Sequence, residues 1–172
     1  MAVAGALRLA TAKLPGSPDK ARELLLGASD ELTHALDELR ELARGLHPAT
    51  LTRHGLEPAI EALASRAPLP VDIVNEIDRR LPAAVEAAVY YVVAESLTNV
   101  ARYAQATSVT DHAASADCLV RVEVADDGIG GADAAHGSGL HGLTDRLAAL
   151  EGTLAVQSPT GRGTRLRAEI PC

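Results

Sequence analysis

Leucine recurs every seven residues in the first third of the chain. Leu25, Leu32, Leu39 and Leu46 fall at one core position of a heptad and Ala28, Ala35 and Leu42 at the other, with Glu, Asp and Arg between them. A helix so patterned seats on partner helices. Upstream, Val3, Leu7, Ala10 and Leu14 repeat at three and four. The segment "LPGSPDK" separates the two runs, with Ser17 as N-cap, Pro18 at the first helical position and Asp19 in the first turn. Residues 1–48 are therefore expected to form an antiparallel helical hairpin with unequal arms. The shorter arm cannot cover the leucine stripe of the longer one, so the hairpin either pairs with a second copy or packs on its own domain.

After Pro48 the pattern changes. Residues 49–69 read as a linker carrying a short amphipathic helix, Leu56, Ile60 and Leu63, ended by "RAPLP". From residue 70 onward strands and helices mix. "PVDIVNEI" is a strand, and Pro82 to Ala104 a long buried helix that starts on its proline. "TSVTDHA" and "CLVRVEVADD" pair around the turn "ASAD", with Val120, Val122 and Val124 on one face and Arg121 and Glu123 on the other. A glycine-rich stretch precedes the helix "LHGLTDRLAALEG", whose Leu140, Leu143, Leu147 and Leu150 point inward and whose stop is Gly152. "TLAVQS" and "TRLRAEI" close the chain as a hairpin around "PTGRG". Residues 70–172 thus form an α+β sandwich. Asp111 shares the register of Val109, where an apolar residue would face the helical layer; a bulge that turns the carboxylate to solvent is expected.

Composition adds mainly exclusions. The chain has 172 residues, 47% of them hydrophobic, with no Phe or Trp and three Tyr, so its core is aliphatic. A net charge of −7 argues against a nucleic-acid surface. Cys118 and Cys172 have no C-x-x-C or C-x-x-H company, which reads as neither a zinc site nor a disulfide framework and suits a reducing cytosol. No apolar run approaches the ~20 residues that span a bilayer, and no basic segment with an apolar core opens the chain. A cytoplasmic segment without membrane contact is expected, although a parent protein could be anchored.

Candidate chemistry falls in three clusters. In "ESLTNVARYA", Glu95 and Asn99 share a helix face, with Arg102 and Tyr103 a turn further on. An amide oxygen beside a carboxylate suits a hydrated Mg²⁺; a solvated polar stripe is the plainer reading. "DDGIGG", Asp126 to Gly131, sets carboxylates at the end of an apolar strand, then glycines that permit positive φ. It lacks the alternating oxygen ligands and final Glu of an EF-hand. "GSGLHG" spells G-x-G-x-x-G, yet no strand runs directly into it, the following helix leads to a hairpin, and position 162 is Arg, so a dinucleotide fold is excluded. No G-K-S/T follows, which excludes a P-loop. Glycines opening a helix still leave free amides at the positive end of a dipole, a phosphate site.

In this order and spacing the three clusters resemble the N, G1 and G2 boxes of the GHKL ATPases, most closely the two-component sensor histidine kinases with a short ATP lid. "LRELARGLHPATLTRHGLEPAIEALA" resembles the end of that group's dimerisation hairpin and its linker, and "GRGTRLRAEIP" its terminal hairpin. The resemblance implies a Bergerat-type sandwich, binding of ATP and Mg²⁺, a homodimer through the hairpin, and a response regulator as partner. It implies that Asn99 ligates Mg²⁺ and that Glu95 acts as general base or orients the nucleophile. Asp126 would accept from the adenine amino group, and Gly128 and Gly130 would let the backbone pass the base. Gly137, Gly139, Leu140 and Gly142 would hold phosphates through the amides opening their helix, and Thr164 would reach adenine through water. Tyr103 departs from the group's pattern, which makes Arg102 the better phosphate contact. In the group the phosphorylated histidine lies in the first hairpin helix and precedes an acidic residue. His34, His47 and His54 precede Ala35, Pro48 and Gly55, so the acceptor is expected to lie outside this chain. The function so implied is transfer of the ATP γ-phosphoryl group to a histidine, without autophosphorylation of this chain alone. An anti-sigma serine kinase and a non-catalytic nucleotide-sensing dimerisation module are the alternatives.

Overall fold

A computed structural model describes residues 49–132 and 138–172, with Pro18, Lys20, Arg22 and Leu25. The chain divides into two compact units, Met1–Leu46 and His47–Cys172. In the first unit the four described residues are helical and exposed; the rest of the heptad, the Ser17 cap and His34 lie outside the described residues, as does His47 of the second unit.

The second unit opens with two short helices, α1 (Ala49–His54) and α2 (Leu56–Ala64), followed by β1 (Val71–Glu76). Next come α3 (Ala83–Asn99), a π-helical turn at Val100–Ala104, β2 (Val109–Ala116) and β3 (Leu119–Asp126). Then α4 (Ser138–Ala148), β4 (Thr153–Gln157) and β5 (Arg165–Pro171) complete it. The strands form one sheet in the order β1-β2-β3-β5-β4, with β1 parallel to β2 and every other pair antiparallel. This is the mixed α+β sandwich that the periodicity predicts. Among the described residues no helix is long and apolar enough to cross a membrane.

Alternation places the layers. Val109 and Ala113 of β2, Val120, Val122 and Val124 of β3, and Leu166, Ala168 and Ile170 of β5 are buried on one face, as a period of two requires. Helix α3 covers that face. Its sequence is apolar nearly all round, and Val85, Val89, Val92, Val93 and Leu97 are buried between the sheet and the other helices. From α1 and α2, Leu51, Leu56, Ala59 and Ile60 join the same core, as do Leu140, Leu143 and Leu147 of α4. Arg146 of α4 stacks its guanidinium 4.2 Å from the ring centre of Tyr91 on α3. The opposite sheet face meets water. There Arg121 pairs with Glu169 at 2.9 Å, and Glu123 holds Arg165 at 3.1 Å and Arg167 at 2.6 Å, cross-strand pairs that each contribute at most ~1 kcal/mol.

Two local expectations shift. The β2–β3 turn is at Asp117 and Cys118, both with positive φ (52° and 58°), so β2 runs on to Ala116, further than "ASAD" as a turn would allow, and β3 starts at Leu119. Two left-handed residues match the twist of a tight hairpin, which draws the turn there. At the end of α4 the left-handed residue is Glu151 (φ 57°); Gly152 follows it and donates its amide to the Leu147 carbonyl at 2.8 Å.

Asp111 is a larger correction. No bulge occurs: Asp111 sits opposite Val124 and Ile73 in unbroken ladders, is 1% exposed, and neither carboxylate oxygen has a hydrogen-bond partner. Because β2 is paired on both edges, a bulge would break two ladders, so the strand keeps its register. Burial pushes the Asp111 carboxyl up to about 6, with the neighbouring His112 drawing it slightly down. Its folded pKa thus exceeds its ordinary value of 3.8. The fold binds this proton more tightly than the unfolded chain, so stability falls as pH rises from about 4 to about 6 and the penalty is complete above that, about 3 kcal/mol. Asp111→Val is expected to raise the urea midpoint at pH 7.5 by more than at pH 4.5, and Asp111→Asn to remove most of the difference between the two pH values. Equal gains at both would overturn the assignment.

Candidate functional site

The site is built where α3 ends, where β3 ends and where β4 turns into β5. Toward the end of α3 the hydroxyls of Ser96 and Thr98 donate back to the carbonyls of Val92 and Ala94 at 2.7 and 2.8 Å, a bonding that loosens the regular ladder. Beyond Asn99 the helix widens into the π turn, and Gln105 (φ 51°) ends it. Turns of this type recur at functional sites. Here the widened turn presents the Ala104 carbonyl to the glycine loop, where it accepts from the Ile129 amide at 2.8 Å.

That loop, Asp126 to Gly131, is clamped by backbone on both sides. Gly163 donates to the Gly128 carbonyl at 2.7 Å, Gly161 to Ile129 at 2.6 Å, and Gly131 to the Ser158 carbonyl at 2.9 Å. A methyl group on Gly128 would strike the Ala104 carbonyl. Gly130 and Gly163 have φ of 62° and 68°, and a methyl group on either would collide with backbone, of Pro159 and Gly163 for the first and of Asp126 for the second.

The clamp fixes two carboxylates. Asp126 donates its own amide to Thr164 at 2.9 Å, and its Oδ1 accepts from the Gly128 amide at 2.8 Å, the one donor it has among the described residues. The carboxylate is half-buried, with its other oxygen uncommitted. Asp127 faces away and is consumed by structure. Its carboxylate accepts from the Thr107 amide at 2.7 Å, the Ser108 amide at 3.0 Å and both hydroxyls. These bonds, the Thr107 hydroxyl first, hold its carboxyl well below the usual carboxylate range. Thr164 shares a 2.8 Å hydrogen bond between hydroxyls with Ser158, whose Oγ also accepts from the Ala132 amide at 2.9 Å.

On the helical side, Glu95 and Asn99 lie one turn apart and half-buried. A methyl group on Gly139, in the first turn of α4, would meet the end of the Glu95 side chain, so α4 lies against Glu95 of α3 at this glycine. Leu140 buries its side chain in the core, which leaves only its amide for a ligand; Gly142 is half-buried on the same helix. The amides of the first turn have no partner within the helix. Arg102 is exposed on the π turn beside Tyr103, which is 65% exposed. Gly137 lies outside the described residues. Sequence reasoning missed Asp127, Thr107, Ser108 and Ser158. Only the doubled aspartate of "DDG" signals any of them.

Among the described residues no three His, Cys, Asp or Glu stand together as a metal cluster. A cation here would draw on the Asn99 amide oxygen, with phosphate and water completing its shell. Oxygen donors of this kind fit Mg²⁺.

No protein-family model matches the chain. Among characterised proteins it is 34% identical over 148 residues to the sensor histidine kinase NarS of Mycobacterium tuberculosis, a match over 81% of this chain and 35% of NarS. It is 31% identical to the sensor histidine kinase LiaS of Bacillus subtilis, over 80% of this chain and 40% of LiaS. The chain thus spans well under half the length of these relatives. Among solved structures, full-length ShkA in complex with AMPPNP superposes with a TM-score of 0.56 at 21% identity, over 98% of this chain and 42% of ShkA, a likeness of fold. Identity of this level over four fifths of the chain, joined to the sandwich and to the order of its glycine loops, places the chain in the sensor histidine kinase family.

Proposed function

We propose that this chain is the ATP-binding catalytic region of a sensor histidine kinase and transfers the γ-phosphoryl group of ATP to a histidine in two-component signalling. The observation that carries the reading is Asp126: a half-buried carboxylate held by the clamped loop at the end of a core strand, with one oxygen on Gly128 and the other free to accept. A carboxylate so placed accepts from the exocyclic amine of adenine and meets only an oxygen on guanine. The nucleotide in the ShkA complex supports the use of ATP by this fold.

The remaining roles follow from placement. Gly128 and Gly130 keep the loop flat against its neighbours, which leaves room for a base. The hydroxyl pair of Thr164 and Ser158 offers a donor and an acceptor to a bridging water. Amides of the first turn of α4, the Gly139 amide among them, hold phosphate oxygens at the positive end of the helix. Arg102 can fold over the phosphates from the π turn. Asn99 holds Mg²⁺, which when bound neutralises charge on the phosphates that leave and transfer. Glu95, on the same face as Asn99, orients the incoming imidazole or accepts its proton. Gly137 completes the phosphate set. The acceptor imidazole is supplied from outside this sequence, the hairpin of residues 1–48 mediates a homodimer, and a response regulator takes the phosphoryl group onward.

Asp126→Asn is expected to weaken ATP binding by about 10- to 100-fold, the worth of a hydrogen bond to a charged group, with circular dichroism unchanged; calorimetry showing equal affinity would overturn the adenine assignment. Asp127→Ala touches no ligand but releases Thr107 and Ser108 from the loop, and should weaken ATP binding by roughly tenfold. With γ-labelled ATP, acid-labile label should appear on a longer kinase chain that carries the acceptor and a disabled nucleotide site. Label retained on this chain alone would refute the placement of the acceptor.

A further inference from the structure

Cys118 and Cys172 are far apart in sequence and adjacent in the sheet. Leu119 pairs with Pro171 at the end of the β3–β5 ladder, and the Cys172 amide donates to the Cys118 carbonyl at 2.9 Å. The two cysteines therefore form the next rung. Hydrogen-bonded antiparallel rungs hold their Cα atoms ~5.5 Å apart, inside the window that a disulfide spans, roughly 4.4–6.8 Å. Cys172 follows Leu166, Ala168 and Ile170 in the parity of the buried face of β5, whereas Cys118 stands in the turn, outside the alternation of β3, and is exposed.

The two thiols differ in environment. Cys118 is exposed and occupies a left-handed turn position (φ 58°) where glycine or asparagine is the usual choice. Cys172 is half-buried against the core, and Arg79 donates to its sulfur with Nη2 at 3.2 Å. That contact holds the Cys172 sulfur at the end of the sheet.

We propose that Cys118 and Cys172 are a reversible dithiol–disulfide pair whose reaction partners are low-molecular-weight disulfides and thiols. The exposed Cys118 thiolate attacks one sulfur of a small disulfide, RSSR, and one RS⁻ leaves. The Cys172 thiolate then attacks Sγ of Cys118, forms the intramolecular bond and expels the second RS⁻. Two protein thiols are oxidised and one small disulfide is reduced to two thiols, so electrons and protons balance. The bond staples the β2–β3 turn to the end of β5. Asp126 and Thr164 sit at the opposite ends of these same two strands, so the staple leaves the nucleotide site untouched and stands whether or not ATP binds there.

The test treats the full chain with oxidised glutathione. The expected product is a monomer lighter by two hydrogens, with a peptide joining Cys118 to Cys172, reversed by dithiothreitol. Cys118→Ser and Cys172→Ser should each stop at a single glutathione adduct, which shows that the remaining thiol needs its partner to resolve. Two stable glutathione adducts on the unaltered chain, two thiols left free after treatment that oxidises a cysteine peptide, or a bond formed only between chains would each overturn the proposal. ATP affinity measured before and after oxidation is expected to be equal, so a failed nucleotide site and a failed thiol pair are told apart.

Discussion

The contact on which the site rests is between backbones. Where the Asp126–Gly131 loop crosses the Ala104 carbonyl on one side and the Gly163 amide on the other, there is no room for a Cβ atom. This one constraint dictates the glycines of two distant segments. It also gives the π turn a role, since the widened last turn of the helical segment is what presents Ala104 to the loop. Side-chain contacts could be repacked by substitution, whereas a carbonyl in van der Waals contact with a glycine has no alternative rotamer. Asp126 inherits its position from that rigidity. Asp127 and Ser158 then fasten the loop from its two flanks, one to the segment before β2 and one to the β4–β5 turn.

Buried carboxylates show how little spare stability such a small aliphatic core can devote to polarity. Glu86 is almost wholly buried, yet Arg80 meets it with two nitrogens, at 2.8 and 2.9 Å, and the Leu81 amide donates at 3.2 Å. Arg80 can do this because Glu86 lies near the start of α3, where a long side chain reaches in from solvent. Asp111 lies mid-strand beneath the helices, where no such chain reaches, and stays unpartnered. The two residues share a charge and a degree of burial and differ in distance from the edge of the layer. That distance decides whether a buried acid is compensated or left to hold its proton more tightly.

Much of the fold was legible because its elements obey local rules. Alternating valines gave β3 its inner face, and the leucines of α4 its buried stripe, without reference to any other part of the chain. The glycine loops were legible as a pattern, and Asp126 with them. What escaped depends on partners distant in sequence. The register of Asp111 is held by β1 on one edge and β3 on the other, and a reader of one strand cannot see two ladders. The β2–β3 turn moved to Asp117 and Cys118 because the twist of the paired strands, not the composition of "ASAD", selects the left-handed residues. Asp127, Thr107, Ser108 and Ser158 carry ordinary turn chemistry in sequence and become part of the site only when α3, β3 and the last hairpin converge. Cys118 and Cys172 have no short-range company in the sequence, and both are free thiols; that they are neighbours shows only once β3 and β5 are paired.

The two ends of the proposed nucleotide site are made of different material, and this bears on how it would work. The adenine end is strand termini and loop backbone tied by hydrogen bonds that leave little freedom. At the phosphate end the footing is helices α3 and α4, which meet through Gly139 against Glu95 and through Arg146 on Tyr91. Side-chain packing of that kind permits small shifts between helices at modest cost, while a clamped backbone does not. A nucleotide bound across both would anchor by its base first, because that half is already organised and spends the least entropy on ordering. Its phosphates would then draw α4 and Asn99 to a common position, so the reacting end would be ordered by the substrate itself.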